Sequence, residues 1–488
     1  MTMKESKFLP LIGFAFSLAV GCTNLPSVGP NYEEPEFDDP KLPLPDAGKV
    51  SEDEVDTRVA ISKDSCARWW TRFDDPVLVD LIESAQTNNH AYQVTLRRLR
   101  QAEWEEFGSY AAFLPQFAVG GAWKRNWYEQ HSSASGMKSS YNVQNVALDG
   151  NWEIDLFGGN RRRTEAAIAR AEAMRWTADD AWVALTTRIG VDYIQLRTTQ
   201  ARIAVAETNL VLQTETYDIL KSRLDSGIGD ELAVNQCAYI VETTRANIPQ
   251  LRAEEERLKN ELAILAGKVP GELEEALAAL PEPKTWLLES QKIAELPLDW
   301  MRGRPDVKAA ERALAAQTAM IGVAKAQWFP KLYVTGQIGF QNTNGTRLFS
   351  RDSFFAALGP AASWPIFQGG AIYANVKAAE EATEAALLEY EHAIESAYGD
   401  VRNAYASYTQ EQHRYESLGE AVKAASSAVE ISRDLYRNGL KDFNNVLDAQ
   451  RSRLQLEEAY VLSRGQITLN LISLYKALGG GLAADEVK

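Results

Sequence analysis

The side chains that carry most protein chemistry are sparse in this chain of 488 residues and poorly spaced for it. The four histidines, His90, His131, His392 and His413, lie too far apart in sequence to form the close ligand pairs of a metal site, and read as solvated residues. No glycine-rich phosphate loop follows a strand pattern, and no serine sits in a nucleophile elbow. The cysteines Cys22, Cys66 and Cys237 have no framework spacing, and Cys66 and Cys237 read as free thiols. The polar residues that do show a pattern are Lys441, Asp442, Asn444, Asp448 and Arg451, crowded behind Gly439. At that spacing they can form solvated ion pairs, each worth about 0–1 kcal/mol. Repeated around a symmetry axis, one inward-facing aspartate instead becomes a negative collar that attracts cations and excludes anions. The stretch alone leaves both readings open, and neither is enzymatic.

These residues follow a rod. Ala371 to Asn438 contains no proline and almost no internal glycine, so nothing obliges a helix to stop. Leu387, Ile394, Val401, Tyr408, Tyr415, Val422, Val429 and Tyr436 recur every seven residues, with Tyr390, Ala397, Ala404, Leu418 and Ala425 three places after members of that row. This is a coiled-coil seam, and its strict heptad asks for a left-handed supercoil. The helix would span roughly 100 Å, more than a compact domain needs.

The chain then repeats itself at an offset of about 212 residues. Phe113-Leu114-Pro115 matches Trp328-Phe329-Pro330, Trp152 to Gly159 matches Trp364 to Gly370, and Ser226-Gly227-Ile228 matches Asn438-Gly439-Leu440. A period this long implies a duplicated half-molecule and not a solenoid. Each half predicts a helix (Pro76 to Ala112; Pro305 to Gln327), two strands with one apolar face, a rod (Asn160 to Asp225; Ala371 to Asn438), a left-handed glycine stop at Gly227 and Gly229 or at Gly439, and a returning helix (Glu231 to Ala266; Phe443 to Ala477). Gly158-Gly159 and Gly369-Gly370 read as hinges between strand and rod. In the second half, Leu332, Val334, Ile338 and Phe340 point one way, and Phe354, Ala356 and Leu358 return likewise. Such a surface suits a membrane barrel or one side of a sandwich. Four strands cannot close a barrel, and an open edge cannot sit in lipid; three chains would supply twelve strands, with twelve helices beneath them. The residues alone therefore read as mainly α with a small β part, internally duplicated: long coiled-coil rods, and four strands per chain that would need further copies to close a barrel.

The balance of 51 basic against 67 acidic residues leaves no basic stripe for nucleic acid. Lys4 and Lys7 precede an apolar run from Phe8 to Val20, which is an export signal too short to remain as an anchor. Leu18-Ala19-Val20-Gly21-Cys22 resembles a bacterial lipobox whose cysteine becomes the acylated first residue, although the leucine lies four places before Cys22 and not the usual three. The other reading is a conventional cut at small residues with Cys22 incidental. Thr23 is not the aspartate of an inner-membrane retention signal. The expected domains are the signal 1–21, a lipid-anchored extended tether 22–65, a first repeat 66–268, an equatorial linker 269–304, a second repeat 305–481 and a tail 482–488.

Four phrases complete the reading: Trp69-Trp70 through Asp75-Pro76; Leu298 to Ala310 with Arg302, Arg304, Pro305 and Asp306; Leu447-Asp448-Ala449-Gln450-Arg451; and Leu474 to Gly481. In this order they resemble the outer-membrane efflux factors, a TolC-like family, and its NodT-like lipoprotein branch in particular. The resemblance implies a homotrimeric channel-tunnel in the outer membrane of a Gram-negative bacterium, a long coiled-coil α-helical barrel joined to a trimeric 12-stranded transmembrane β-barrel to which each chain gives four strands, without an enzymatic cofactor and lipid-anchored at Cys22. It would receive small toxic molecules from an inner-membrane RND-type transporter through a periplasmic adaptor. It places Asp448 at the family's pore aspartate, with Arg451, Asp442, Asn444 and Lys441 around it; opening is then expected to untwist the second tip, driven by adaptor contact at Gly227, Ile228, Gly439 and Leu440. Asn444 stands where a constricting leucine is common, and Ala233 where an aspartate is common. An exit duct for type I protein secretion would look alike in sequence. A coiled-coil spacer without a pore would explain the rods but not the strands.

Overall fold

The computed structural model describes residues 27–35, 67–132, 135–278, 301–343 and 347–481. The signal, Cys22, Cys66, the tail 482–488 and most of the expected tether and linker lie outside the described residues. In chain order the elements are α1 (Pro76–Asn88), α2 (His90–Ser109), β1 (Gln116–Ser132), β2 (Ser135–Ile154), α3 (Gly159–Asp225), α4 (Glu231–Leu265), α5 (Pro305–Ala326), β3 (Lys331–Asn342), β4 (Phe354–Ser363), α6 (Ala371–Arg437) and α7 (Phe443–Ala477). Helices α3 and α6 have 67 residues each, and α4 and α7 have 35 each.

One expected helix is two. Asn89 leaves helical backbone at ψ 116°, and its Oδ1 accepts from the Tyr92 amide at 2.8 Å, which caps α2. Asparagine offers the backbone this local alternative, so a break costs little there. Asp75 caps α1 in the expected way, accepting from the Val77 amide at 3.0 Å with Pro76 in the first turn.

The chain divides into two compact units. The first, residues 98–175 and 309–391 with the segment before Phe37, holds one antiparallel sheet in the order β1-β2-β3-β4. Two indoles staple it. Trp152 Nε1 donates to the Phe113 carbonyl at 2.9 Å, and Trp364 Nε1 donates to the Trp328 carbonyl at 3.0 Å. Gly158, Gly369 and Gly370 take positive φ at the corners where strand becomes rod, a conformation with little steric cost only for glycine. At the first corner Asp155 accepts from the Arg161 amide at 2.8 Å and so caps α3. The segment 27–35 is docked on this unit. The Val28 amide donates to the Phe157 carbonyl, and buried Arg162 donates to Val28 O, Gly29 O and Asn31 Oδ1.

The second unit, residues 37–97, 176–308 and 392–488, is helical among its described residues. The expected seam is its core: Val401, Tyr408 and Val429 are buried, and the other members of the row within this unit are half-buried. Tyr415 on α6 stacks on Tyr460 of α7 with centroids 4.6 Å apart and hydroxyls 2.6 Å apart. Three of the family phrases converge in this unit. Trp69 is fully buried, stacks on Tyr475 and lies so close to Gly190 that a β-carbon there would strike its ring. Arg304 bridges Asp306 at 2.7 Å, Asp400 at 3.2 Å and the Ala477 carbonyl at 3.0 Å.

A β-carbon on Gly339 would collide with the Val146 carbonyl and the Ala147 backbone across the β2–β3 pair, whereas one on Gly359 meets nothing. Gly339→Ala should therefore destabilise the sheet by about 1–3 kcal/mol and lower the yield of folded protein in membranes. Gly359→Ala should match the parent; quantifying the heat-modifiable folded band in extracted membranes checks both.

Candidate functional site

Among the described residues no helix is long and apolar enough to cross a membrane. Unmatched apolar surface lies instead on the sheet. The register aligns Phe117 with Gly150 and Gly336, Val119 with Leu148 and Ile338, and Gly121 with Val146 and Phe340, and continues to Leu358, Ala356 and Phe354 on β4. Phe117, Val119, Trp123, Trp127, Ile338, Phe354 and Leu358 on this face are exposed. The opposite face is polar: Gln337 donates to Asp149 at 2.5 Å, Lys331 pairs with Glu153 at 3.4 Å, and Thr335 donates to the Gly359 carbonyl. Water outside and a core inside would ask for the polar face to be the exposed one; lipid outside and water inside ask for this sheet. The 12 residues of β3 and 10 of β4 suit a tilted membrane strand of about 9–11 residues.

The second candidate is the turn end of the helix pairs. At the end of α3, Gly227 takes φ 75°, its amide donates to Leu224 O, and the Ile228 amide donates to Arg223 O. At the end of α6, Gly439 takes φ 70°, with matching bonds from Gly439 to Tyr436 O and from Leu440 to Leu435 O. Both are Schellman stops. The residue after each glycine commonly folds back onto its helix, but here Ile228 and Leu440 stand 80% and 68% exposed. Gly229 is not a left-handed stop as expected: its φ is not positive, and it is small because the Leu224 backbone lies against it.

Asn444, Asp448 and Arg451 fall on one exposed stripe of α7, with Lys441 just before it. Arg451 lies 3.6 Å from Asp448, and its guanidinium also sits 5.6 Å from the centre of the Tyr239 ring on α4. Asp442 precedes α7 but does not cap it with its side chain, whereas Asp230 at the corresponding place caps α4 by accepting from Leu232. The structure thus places the predicted gate residues on one face and leaves the Asp442 carboxylate outside the helix cap.

Sequence reasoning missed what holds this end together. Leu220, Ala233, Val234, Cys237 and Ile240 form one apolar cluster with Phe443, Val446 and Leu447, with Tyr436 against it. Arg223 lies 5.7 Å from the centre of the Tyr436 ring, a second cation–π contact joining the helix pairs. The cluster accounts for Ala233: an aspartate there would bring a carboxylate into apolar surroundings. Cys237 is a free thiol, 1% exposed, and burial pushes it up to about 11. At pH 8 about one thiol in a thousand is then ionised. The Cys237 peptide should therefore alkylate slowly with iodoacetamide, and Arg223→Ala with Tyr436→Ala should speed labelling at least severalfold, read by mass spectrometry; an unchanged rate would mean that these contacts do not hold the end shut.

Known proteins share this architecture. The sequence profile of the outer membrane efflux protein family matches residues 81–268 and again residues 299–480. Nodulation protein T of Rhizobium leguminosarum bv. trifolii is 29% identical over 90% of this chain and 90% of its own. Outer membrane protein OprJ of Pseudomonas aeruginosa is 28% identical over 85% of this chain and 86% of its own. The solved structure of the outer-membrane channel OprN, 30% identical, superposes with a TM-score of 0.83 over 93% of this chain and 99% of that one. With the profile covering most of its length in two matches, the chain belongs to the outer membrane efflux protein family.

Proposed function

We propose that three copies of this chain form the outer-membrane conduit of a tripartite efflux system, and that it passively conducts small toxic molecules handed over by an inner-membrane RND-type transporter through a periplasmic adaptor. The observation that carries this reading is the two-faced sheet: apolar and exposed on one side, polar on the other, with β1 and β4 as its edge strands among the described residues. Three such sheets give twelve strands, an even number in the range of single closed barrels. The duplication is supported by the twice-matching profile, the equal helix lengths, the two indole staples and the two matching glycine stops.

On this reading the domains are the signal 1–21, the tether 22–65 acylated at Cys22, the repeats 66–268 and 305–481 joined by 269–304, and the tail 482–488. Residues 27–35, which begin five places after Cys22, dock at the first strand-to-rod corner. Ile228 and Leu440, held out by Gly227 and Gly439, are the apolar contacts offered to the adaptor. The stripe of Asn444, Asp448 and Arg451 faces the pore, where three copies of Asp448 make a collar that favours cations. Asn444 closes by hydrogen bonding where a leucine would close by excluding water. Opening loosens the Arg223–Tyr436 and Arg451–Tyr239 contacts as the second helix pair turns away from the first.

Single-channel recording in planar bilayers tests the collar. The parent should conduct with cation preference, and Asp448→Ala should lower the cation-to-anion permeability ratio severalfold while conduction persists. An unchanged ratio would reject the collar, and no conductance from the parent would reject the channel.

A further inference from the structure

Helix α2 is unlike the others: none of its 20 residues is buried. Leu99, Ala102, Glu106 and Ser109 form a half-covered stripe, and on the other side Arg100, Trp104 and Phe107 share an exposed row at helical spacing. Trp104 and Phe107 are 71% and 68% exposed and meet edge to face with centroids 5.8 Å apart. Isolated exposed apolar residues need no explanation, but an exposed, mutually packed Trp–Phe pair on an otherwise charged helix is surface awaiting a partner. The start of α6 carries a complementary row: Tyr373, Lys377 and Glu381 are all exposed, while Ile372 and Val376 turn inward.

In the ring of three proposed above, the sheet would bring these two rows together in adjacent copies. Helix α2 leads into β1, and α6 leaves β4; the register puts the first residue of β1 and the last residues of β4 at one end of the sheet. When β4 of one copy pairs with β1 of the next, the end of α2 arrives beside the neighbour's start of α6, and the helices run antiparallel. Phe107 is third from the end of α2, and Tyr373 is third from the start of α6. With Phe107 and Tyr373 as the first rung, both rows climb by a helical turn of about 5.4 Å at a time, so Trp104 would come level with Lys377 and Arg100 with Glu381.

We propose that these three rungs form a clasp between neighbouring copies of the chain, resting on the ring of three proposed above: Phe107 against Tyr373, Trp104 under the Lys377 ammonium, and Arg100 paired with Glu381. The rungs are chemically matched, as an aromatic pair, a cation over an indole and an ion pair. Their groups have capacity to spare. Lys377 reaches Glu380 at 2.8 Å in its own chain but its side chain stays 55% exposed, and Arg100 has no ion pair among the described residues. The contact is head-to-tail, so every copy gives one row and receives the other, and the ring closes without a leftover surface.

Cysteine pairing in outer membranes containing the full chain tests the clasp. Trp104→Cys with Lys377→Cys, oxidised in place, should give a denaturation-resistant ladder ending at three linked copies. Trp104→Cys with Glu389→Cys, further along α6, should match the parent chain. Charge exchange gives a second readout: Arg100→Glu and Glu381→Arg should each cut the oligomer surviving mild denaturation severalfold, and their combination should restore it. If native electrophoresis shows an intact three-copy particle with neither cross-link nor rescue, the clasp is wrong and the ring stands. If it shows single copies in the parent, both are wrong.

Discussion

The edges of β1 and β4, which no other described strand covers, constrain the rest of this molecule. A strand edge facing lipid exposes amides and carbonyls with no water to bind, at a cost of several kcal/mol for each group. Helices satisfy their backbone internally, but a four-stranded sheet cannot. The exposed apolar face of Phe117, Val119, Ile338 and Leu358 suits lipid, and in the proposed ring another copy supplies the missing edges. The close packing at Gly339 and the indole staples of Trp152 and Trp364 keep the four strands in a single register.

The second unit divides its stabilisation unevenly. Around Trp69 and Tyr475 the packing is tight, and buried Arg304 is held by the Ala477 carbonyl and by two partly exposed carboxylates, Asp306 and Asp400, whose pairing is screened by solvent. At the turn end, the links between helix pairs are a small apolar cluster and two cation–π contacts, each worth about 0.5–1 kcal/mol at exposed positions. Motion is cheapest where the links are weakest. That difference supports the proposal that the turn end is the gate, with the packed region around Trp69 as the firmer part of the unit.

Much of this was legible in the sequence because it depends on period. The seven-residue row placed the second rod and the internal repeat the first, the two-residue alternation placed the sheet faces, and glycine marked the stops at Gly227 and Gly439 and the corners at Gly158, Gly369 and Gly370. Local chemistry was less decisive. The break at Asn89 depends on which of two backbone states a capping residue adopts, and Gly229 is small for close approach and not for its φ. Contacts between residues distant in sequence left no signal. Arg223 meets Tyr436, Arg451 meets Tyr239, and Ala233 joins an apolar cluster with Phe443, although no spacing rule relates any of them. The family phrases could be recognised but not interpreted until Trp69, Arg304 and Tyr475 were seen in one unit.

The demand for a shared sheet is tested most directly by counting copies. Native mass spectrometry of the full chain, extracted in mild detergent from particles that conduct in a planar bilayer, should give three per particle. A conducting particle containing one copy would mean that four strands satisfy their own edges, and would contradict the shared barrel.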